Sequence, residues 1–126
     1  MIAGKPLQQW LDRANELGAG GRFFDAHEEL EFAWNAADGE TKILLQGLIQ
    51  IAAGLHRLKL HPEKTDGAFY LLDHGIEKLG RAHALLTPGP LADLEIAIKK
   101  IRASGMTPET LRFGLRAASG NGLTPE

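Results

Sequence analysis

The chain has 126 residues, no cysteine and a formal net charge of −2 at neutral pH, which indicates a single domain large enough to bury a core without covalent staples. The absence of cysteine excludes disulfides, thiolate nucleophiles and iron–sulfur clusters. The sequence also has no basic run that would bind phosphates, no signal-peptide pattern at its N-terminus and no apolar stretch of the roughly 18 residues that a membrane span needs, so we expect a cytoplasmic protein with neither nucleic acid nor membrane as a partner.

Six helices are predicted in chain order, from apolar residues at helical spacing and from the glycine and proline breaks between them. The third is the most apolar and is expected to be central. The fourth is capped by Thr65 or Asp66 and carries an apolar stripe as far as Leu86. The sixth is a short helix that Thr107 caps and Pro108 opens. The other four are predicted over residues 6–17, 22–37, 41–60 and 91–104.

The predicted fold class is all-α. No segment alternates with period two for long enough to form a strand, and short loops between successive helices favour antiparallel neighbours. We therefore expect an up-and-down helical bundle of about four core helices, with two short C-terminal helices that pack on its outside or serve as an oligomer contact. A single domain over residues 1–118 would be followed by a flexible tail over 119–126.

The second helix carries polar residues where a helical wheel places an apolar face. At about 100° per residue, four large apolar side chains and Glu31 all fall within roughly 60° of His27, while Glu28 lies at the border of that face. A lone buried carboxylate costs several kcal/mol or shifts its pKa, so it needs a partner. The four apolar residues are Phe23, Phe24, Leu30 and Trp34.

Candidate partners come from the same helix and from the next one. His27 and Glu31 are neighbours at i and i+4. A short turn at Asp38-Gly39 would make the second and third helices run back to back, with Gln46 level with Glu31 and Gln50 level with His27. This predicts a buried polar layer of His27, Glu31, Gln46 and Gln50, to which the Trp34 N–H could add a donor.

The glutamines have a second interpretation, because they share a narrow stripe of the third helix with Lys42, Ala53 and Arg57. That stripe could simply be the solvated face of the helix. Gly47 and Gly54 flank it and would let a neighbouring helix approach closely, which favours a covered face.

The motif His27-Glu28-x-x-Glu31-x-x-Trp34, followed by Gln46-Gly47-x-Ile49-Gln50, resembles the family catalogued as domain of unknown function 309. The resemblance covers roughly residues 20–86. It implies a small helical-bundle fold in prokaryotic, cytoplasmic proteins and no established activity. The family's characteristic residues fall here on His27, Glu28, Glu31, Trp34, Gln46, Gly47 and Gln50.

Three functions are compatible with this motif. The favoured one is a structural or interaction module, with a homo-oligomer or another protein as partner, in which the polar layer fixes helix register. The second is binding of a divalent metal or a small ligand, with His27, Glu31 and His83 as candidate ligands, although the motif lacks the second histidine of a zincin. The third is a hydrolase-type enzyme with His27 and Glu31 (or Glu28) as an acid–base pair, but no nucleophile, phosphate loop or cofactor fingerprint accompanies them.

Overall fold

A computed structural model describes residues 1–106 and 108–118, and this part of the chain is all-α. It contains isolated β-bridges but no strand. No helix in it is long and apolar enough to cross a membrane. The helices are α1 (Leu7–Ala19), α2 (Phe23–Ala36), α3 (Gly39–Leu60), α4 (Asp66–Arg81) and α5 (Pro88–Ser104), with a short 3₁₀ helix (His83–Leu85) between α4 and α5.

The first three helices are confirmed within about two residues at each end, and the fourth begins where it was predicted. It ends earlier, however, at Arg81, and the chain turns through the 3₁₀ helix before Leu86 reaches the core. The fifth helix is longer than predicted, because Pro88 and Pro90 lie in its first turn rather than in a loop before it. Proline is tolerated there, since the first N–H groups of a helix have no partner within it.

The predicted sixth helix is wrong. Residues 108–118 contain no helix, and their buried side chains are Phe113 and Leu115, two positions apart rather than at helical spacing. Gly114 between them has a φ of +65°, which interrupts any helix. The predicted cap Thr107 and the predicted tail 119–126 lie outside the described residues.

Helices that follow one another in sequence pack on one another: α1 on α2, α2 on α3, α3 on α4, and α4 on α5. The most extensive of these contacts joins α3 to α4. The central helix α3 buries Leu44, Leu48, Ile51 and Leu55 completely, as its apolar composition predicts. Gln46 and Gln50, the two glutamines of α3 that the sequence motif includes, are only partly buried.

Candidate functional site

The buried face of α2 is centred away from His27. Its buried residues are Phe23, Ala26, Leu30 and Ala33, whereas Phe24 is 50% exposed. The helical wheel predicts the wrong centre for the buried face, because it gives weight to large apolar side chains and none to alanines. Alanine lets two helix backbones come close, so the two alanines mark the contact with the core. His27 therefore lies at the edge of the buried face, and Glu31 and Phe24 lie beyond it.

His27 stands between two carboxylates. Its side chain is 25% exposed, its Nδ1 lies 3.8 Å from Glu28 Oε2, and its Nε2 lies 3.9 Å from Glu31 Oε2. Both distances exceed hydrogen-bond length. The Nδ1 atom is itself buried and has no hydrogen-bond partner among the described residues. Glu28 and Glu31 are about half exposed, so the imidazole forms the floor of a small acidic surface.

The predicted buried polar layer does not form. No polar or charged residue is buried among those the structure describes, and Gln46 and Gln50 are both partly exposed. Gln50 Oε1 accepts a hydrogen bond of 3.0 Å from Lys78 Nζ, so its partner is on α4 and not on α2. The solvated-face interpretation of this stripe therefore describes it better. A half-exposed Glu31 stays hydrated and needs no buried partner.

The glycines beside the stripe do admit a close neighbour, and that neighbour is α4. A Cβ on Gly47 would lie 2.8 Å from the Gly75 carbonyl oxygen, and one on Gly54 would lie 3.0 Å from that of Ala68. The expectation of close approach is thus confirmed, whereas the inference that the stripe is covered by α2 is not.

The hairpin of α2 and α3 brings together residues that the motif did not include. Phe24 lies 5.2 Å from His56 and 6.0 Å from His27, measured between ring centroids. With Ala53 and Arg57, these three rings line an open, mostly apolar groove of about 180 Å³. His56 lies outside the sequence motif. The turn geometry that pairs Glu31 with Gln46 places Ala53 level with Phe24, and His56 lies about one helical turn further along α3.

Trp34 continues this surface toward the turn between α2 and α3. It is partly buried, its Nε1 atom is enclosed without an acceptor among the described residues, and Lys42 Nζ lies 4.1 Å from its ring centre. The predicted donation from Trp34 to a polar layer is therefore not observed. A cation over an indole ring is an attractive contact, and it holds the two helices together at this end.

The other carboxylates of α2 are neutralised by arginine. Arg13 contacts both carboxylate oxygens of Glu29 at 2.9 Å, which lowers the pKa of Glu29, and Arg22 lies 2.8 Å from Asp25. Glu28 and Glu31 differ, since the basic group recorded near each of them is His27. Within the part of the chain that the structure describes, the motif thus leaves two carboxylates without a lysine or arginine partner, beside the exposed phenyl ring of Phe24.

The candidate metal ligands are not assembled. His83 lies exposed on the 3₁₀ helix rather than on an apolar stripe, and its Nδ1 lies 2.9 Å from the Gly80 carbonyl oxygen. Across residues 1–106 and 108–118, no group of three or more histidine, aspartate or glutamate side chains is arranged to hold an ion.

Comparison with known proteins identifies the segment that carries this surface. Residues 11–69 match the family model of a domain of unknown function, DUF309, and this segment spans most of α1, all of α2 and α3 and the start of α4. The family resemblance drawn from the sequence is thereby confirmed. Neither the curated proteins nor the solved structures include a significant match.

Proposed function

We propose that the DUF309 domain of this chain is a protein-interaction module, and that its contact surface is the outward side of α2. We call this surface the α2 face. Phe24, Glu28, Glu31 and Phe32 share it, because they are spaced at four, seven and eight residues along one helix. The groove beside Phe24, with His27 and His56, is its inner edge.

The observation that carries this proposal is the pairing of exposed phenyl rings with uncompensated carboxylates. Phe24 is 50% exposed and Phe32 is 64% exposed on the same helix, and Glu28 and Glu31, between them in sequence, have no arginine or lysine partner among the described residues. Exposed aromatic residues of this kind mark interaction sites, where they act as anchors. The carboxylates would add charge complementarity, which selects the partner and speeds its approach.

The size of the groove favours a side chain of a partner protein over a small-molecule substrate. Its volume of about 180 Å³ falls below the roughly 300–1,000 Å³ of typical ligand pockets. It is also open rather than enclosed, and the rings of Phe24 and His56 form its walls. We infer that it accepts one apolar side chain, and that Lys or Arg residues beside that anchor meet Glu28 and Glu31.

The proposal is tested by selecting random peptides on the immobilised protein. We expect the enriched sequences to combine one large apolar residue with neighbouring Lys or Arg. A synthetic peptide of the enriched type should bind Phe24→Ala and Glu28→Gln/Glu31→Gln variants about tenfold or more weakly, as truncation of anchor residues does. Tyr70→Ala and Glu77→Gln are matched controls, because both residues are exposed on α4.

Two outcomes would contradict the proposal. One is a selection that enriches no common pattern. The other is a peptide that binds the α2 variants and the α4 controls with equal affinity, since the α2 face would then contribute nothing.

The position of His27 between two carboxylates favours a second candidate function, an acid–base pair in a hydrolase-type enzyme. The gaps of 3.8 Å and 3.9 Å would tighten around a substrate, as apo geometry often does. Screening the protein with simple ester and amide substrates tests this candidate. Turnover that His27→Ala abolishes and Glu77→Gln preserves would support it, whereas equal turnover by both variants would remove it.

A further inference from the structure

Residues 108–118, which we call the C-terminal segment, lie along α1 in a non-helical path that runs antiparallel to the helix. Leu111 donates its N–H to the Gly18 carbonyl oxygen at 2.9 Å. Further along, Gly114 donates to Asn15 Oδ1 at 2.9 Å, and Ala117 donates to Gln8 Oε1 at 2.7 Å. As the segment proceeds, its contacts move from the end of α1 toward the beginning.

Two side-chain amides of α1, those of Gln8 and Asn15, form hydrogen bonds with the backbone of the C-terminal segment. Gln8 engages it twice, because its Nε2 also reaches the Leu115 carbonyl oxygen at 3.5 Å. Asn15 binds the one exposed glycine of the segment. Main-chain hydrogen bonds that give affinity, with pockets that select alternate side chains, are a recurring way in which proteins bind extended peptides.

The segment also buries apolar side chains. Phe113 and Leu115 are 2% and 3% exposed, with Gly114 between them. A Cβ on Gly18 would collide with the Leu111 carbonyl oxygen and would lie 3.3 Å from the Phe113 ring. The absence of a side chain at Gly18 therefore makes room for the backbone at Leu111 and for the ring of Phe113.

The remaining hydrogen bonds of the segment go to residues just before α5. Thr87 donates its N–H to the Arg116 carbonyl oxygen at 2.8 Å, and Ala118 donates to that of Leu85 at 2.9 Å. Within the described residues, α5 makes no hydrogen bond to the segment that follows it in the chain. The hydrogen-bond partners of the segment therefore lie on α1 and in residues 85–87, and a segment from another molecule could make the same hydrogen bonds.

We propose that the surface of α1 around Gln8, Asn15 and Gly18, which we call the α1 groove, is an exchangeable peptide site, and that its partner is a second copy of this chain, which inserts its own residues 108–118. The chemistry selects that occupant, since the α1 groove fits residues 108–118 and the second copy carries the same segment. Exchange preserves every hydrogen bond and both buried side chains, which makes such swapping a low-cost route to a dimer. This site lies on α1 and is independent of the α2 face.

The C-terminal segment of the same molecule competes for the groove at a high effective concentration, typically in the millimolar range for short connections. We call it the tethered segment. The monomer therefore dominates in dilute solution. Exchange becomes visible where the tethered segment is weakened, because the groove is then open to an intact segment from another molecule.

Two full-length variants with complementary defects test the proposal. Gln8→Ala/Asn15→Ala removes the two amides of the groove and leaves the segment intact. Gly114→Val weakens the segment at an exposed position, because a β-branched residue is strained at a φ of +65°, and leaves the groove intact. Each variant alone should be a monomer by light scattering, whereas an equimolar mixture should form a heterodimer.

A labelled synthetic peptide of residues 108–118 supplies the second measurement. It should bind the Gly114→Val protein at least tenfold more tightly than it binds the unaltered protein, whose groove is occupied. Combining Gly114→Val with Gln8→Ala/Asn15→Ala should abolish that binding. Phe113→Ala is a second way to weaken the tethered segment and should give the same gain.

The proposal is overturned if both weakened variants bind no peptide and capture no intact partner. A heterodimer that survives loss of Gln8 and Asn15 in both molecules would also overturn it, because the contact would then lie elsewhere. Where a weakened variant loses its cooperative thermal transition, restoration of that transition by the added peptide supports the proposal, and failure to restore it counts against the proposal.

Discussion

Single glycines determine how closely α3 and α4 approach, and they allow a sharp test. A Cβ on Gly75 would lie 2.6 Å from Ile51 Cγ1 and 2.7 Å from the Gly47 carbonyl oxygen. We expect Gly75→Ala to lower the free energy of unfolding by about 1–3 kcal/mol, since a backbone oxygen moves only with its helix. Urea denaturation measures this change.

Gly80, in the same helix, is the matched control. A Cβ there would meet no atom of the described residues within 4 Å, so Gly80→Ala should leave stability unchanged or raise it by up to about 1 kcal/mol. If both substitutions changed stability in the same direction, helix propensity rather than close packing would govern these positions.

Glu31 distinguishes a surface site from a buried layer. Its side chain is 50% exposed, so we expect Glu31→Gln to change the free energy of unfolding by no more than about 0.5 kcal/mol. A buried and uncompensated carboxylate would give several kcal/mol instead. Urea denaturation of this variant decides between a surface site and a buried layer, and Glu77→Gln, at an exposed glutamate of α4, is the control. A large loss of stability in Glu31→Gln alone would contradict the surface placement.

Much of the candidate site could be predicted at the level of residues, but its orientation could not. The i and i+4 spacing of His27 and Glu31 correctly placed the carboxylate beside the imidazole. The wheel failed because Ala26 and Ala33, not the larger Phe24, face the core. Small residues carry no hydropathy signal strong enough to outweigh a phenylalanine, although close helix packing depends on them.

At the scale of elements, one ion pair joins α1 to α2 and makes stability depend on pH. Arg13 on α1 holds the pKa of Glu29 on α2 below its ordinary value of 4.5. The folded protein is therefore favoured above that pH, and the contribution is lost as the pH falls through the lowered pKa. Both side chains are about 40% exposed, so solvent screens the interaction and the effect is small.

We accordingly expect Glu29→Gln to lower the melting temperature slightly at neutral pH, with the difference from the unaltered protein shrinking as the pH falls below 4.5. Thermal melts across this range measure the difference, and Glu77→Gln serves as the control. A difference that stays constant with pH would mean that packing, not charge, connects these helices.

The helices that were correctly predicted are those in which apolar spacing and end signals agree, and α3 is the clearest case. The last two elements were predicted poorly because local signals were ambiguous. Two prolines within three residues are typical of a loop, yet Pro88 and Pro90 occupy the first turn of α5, where a missing N–H costs nothing. Leu111 and Leu115 have helical spacing, but Phe113 and Gly114 make the segment a non-helical ligand of α1, a long-range contact that periodicity does not report.

At the scale of the whole molecule, the segment that matches the family model ends before the helix that packs most extensively on α3 is complete. Residues 11–69 include only the first turn of α4. The contacts of α4 with α3 continue through Leu72, Gly75 and Leu79, and all three are buried. The α3 surface around Gly47, Ile51 and Gly54 would be open to water in a fragment that stops at residue 69.

We therefore expect a fragment of residues 1–69 to lack a cooperative thermal transition by circular dichroism, whereas the full chain has one. The physical reason is that α3 would lose its most extensive helix contact, and short isolated helices gain most of their stability from such packing. The near-ultraviolet signal of Trp10 and Trp34 gives an independent readout of fixed packing. A cooperative transition with that signal intact in the fragment would show that α1, α2 and α3 form a core by themselves, and that α4 and the elements after it are additions to an already stable domain.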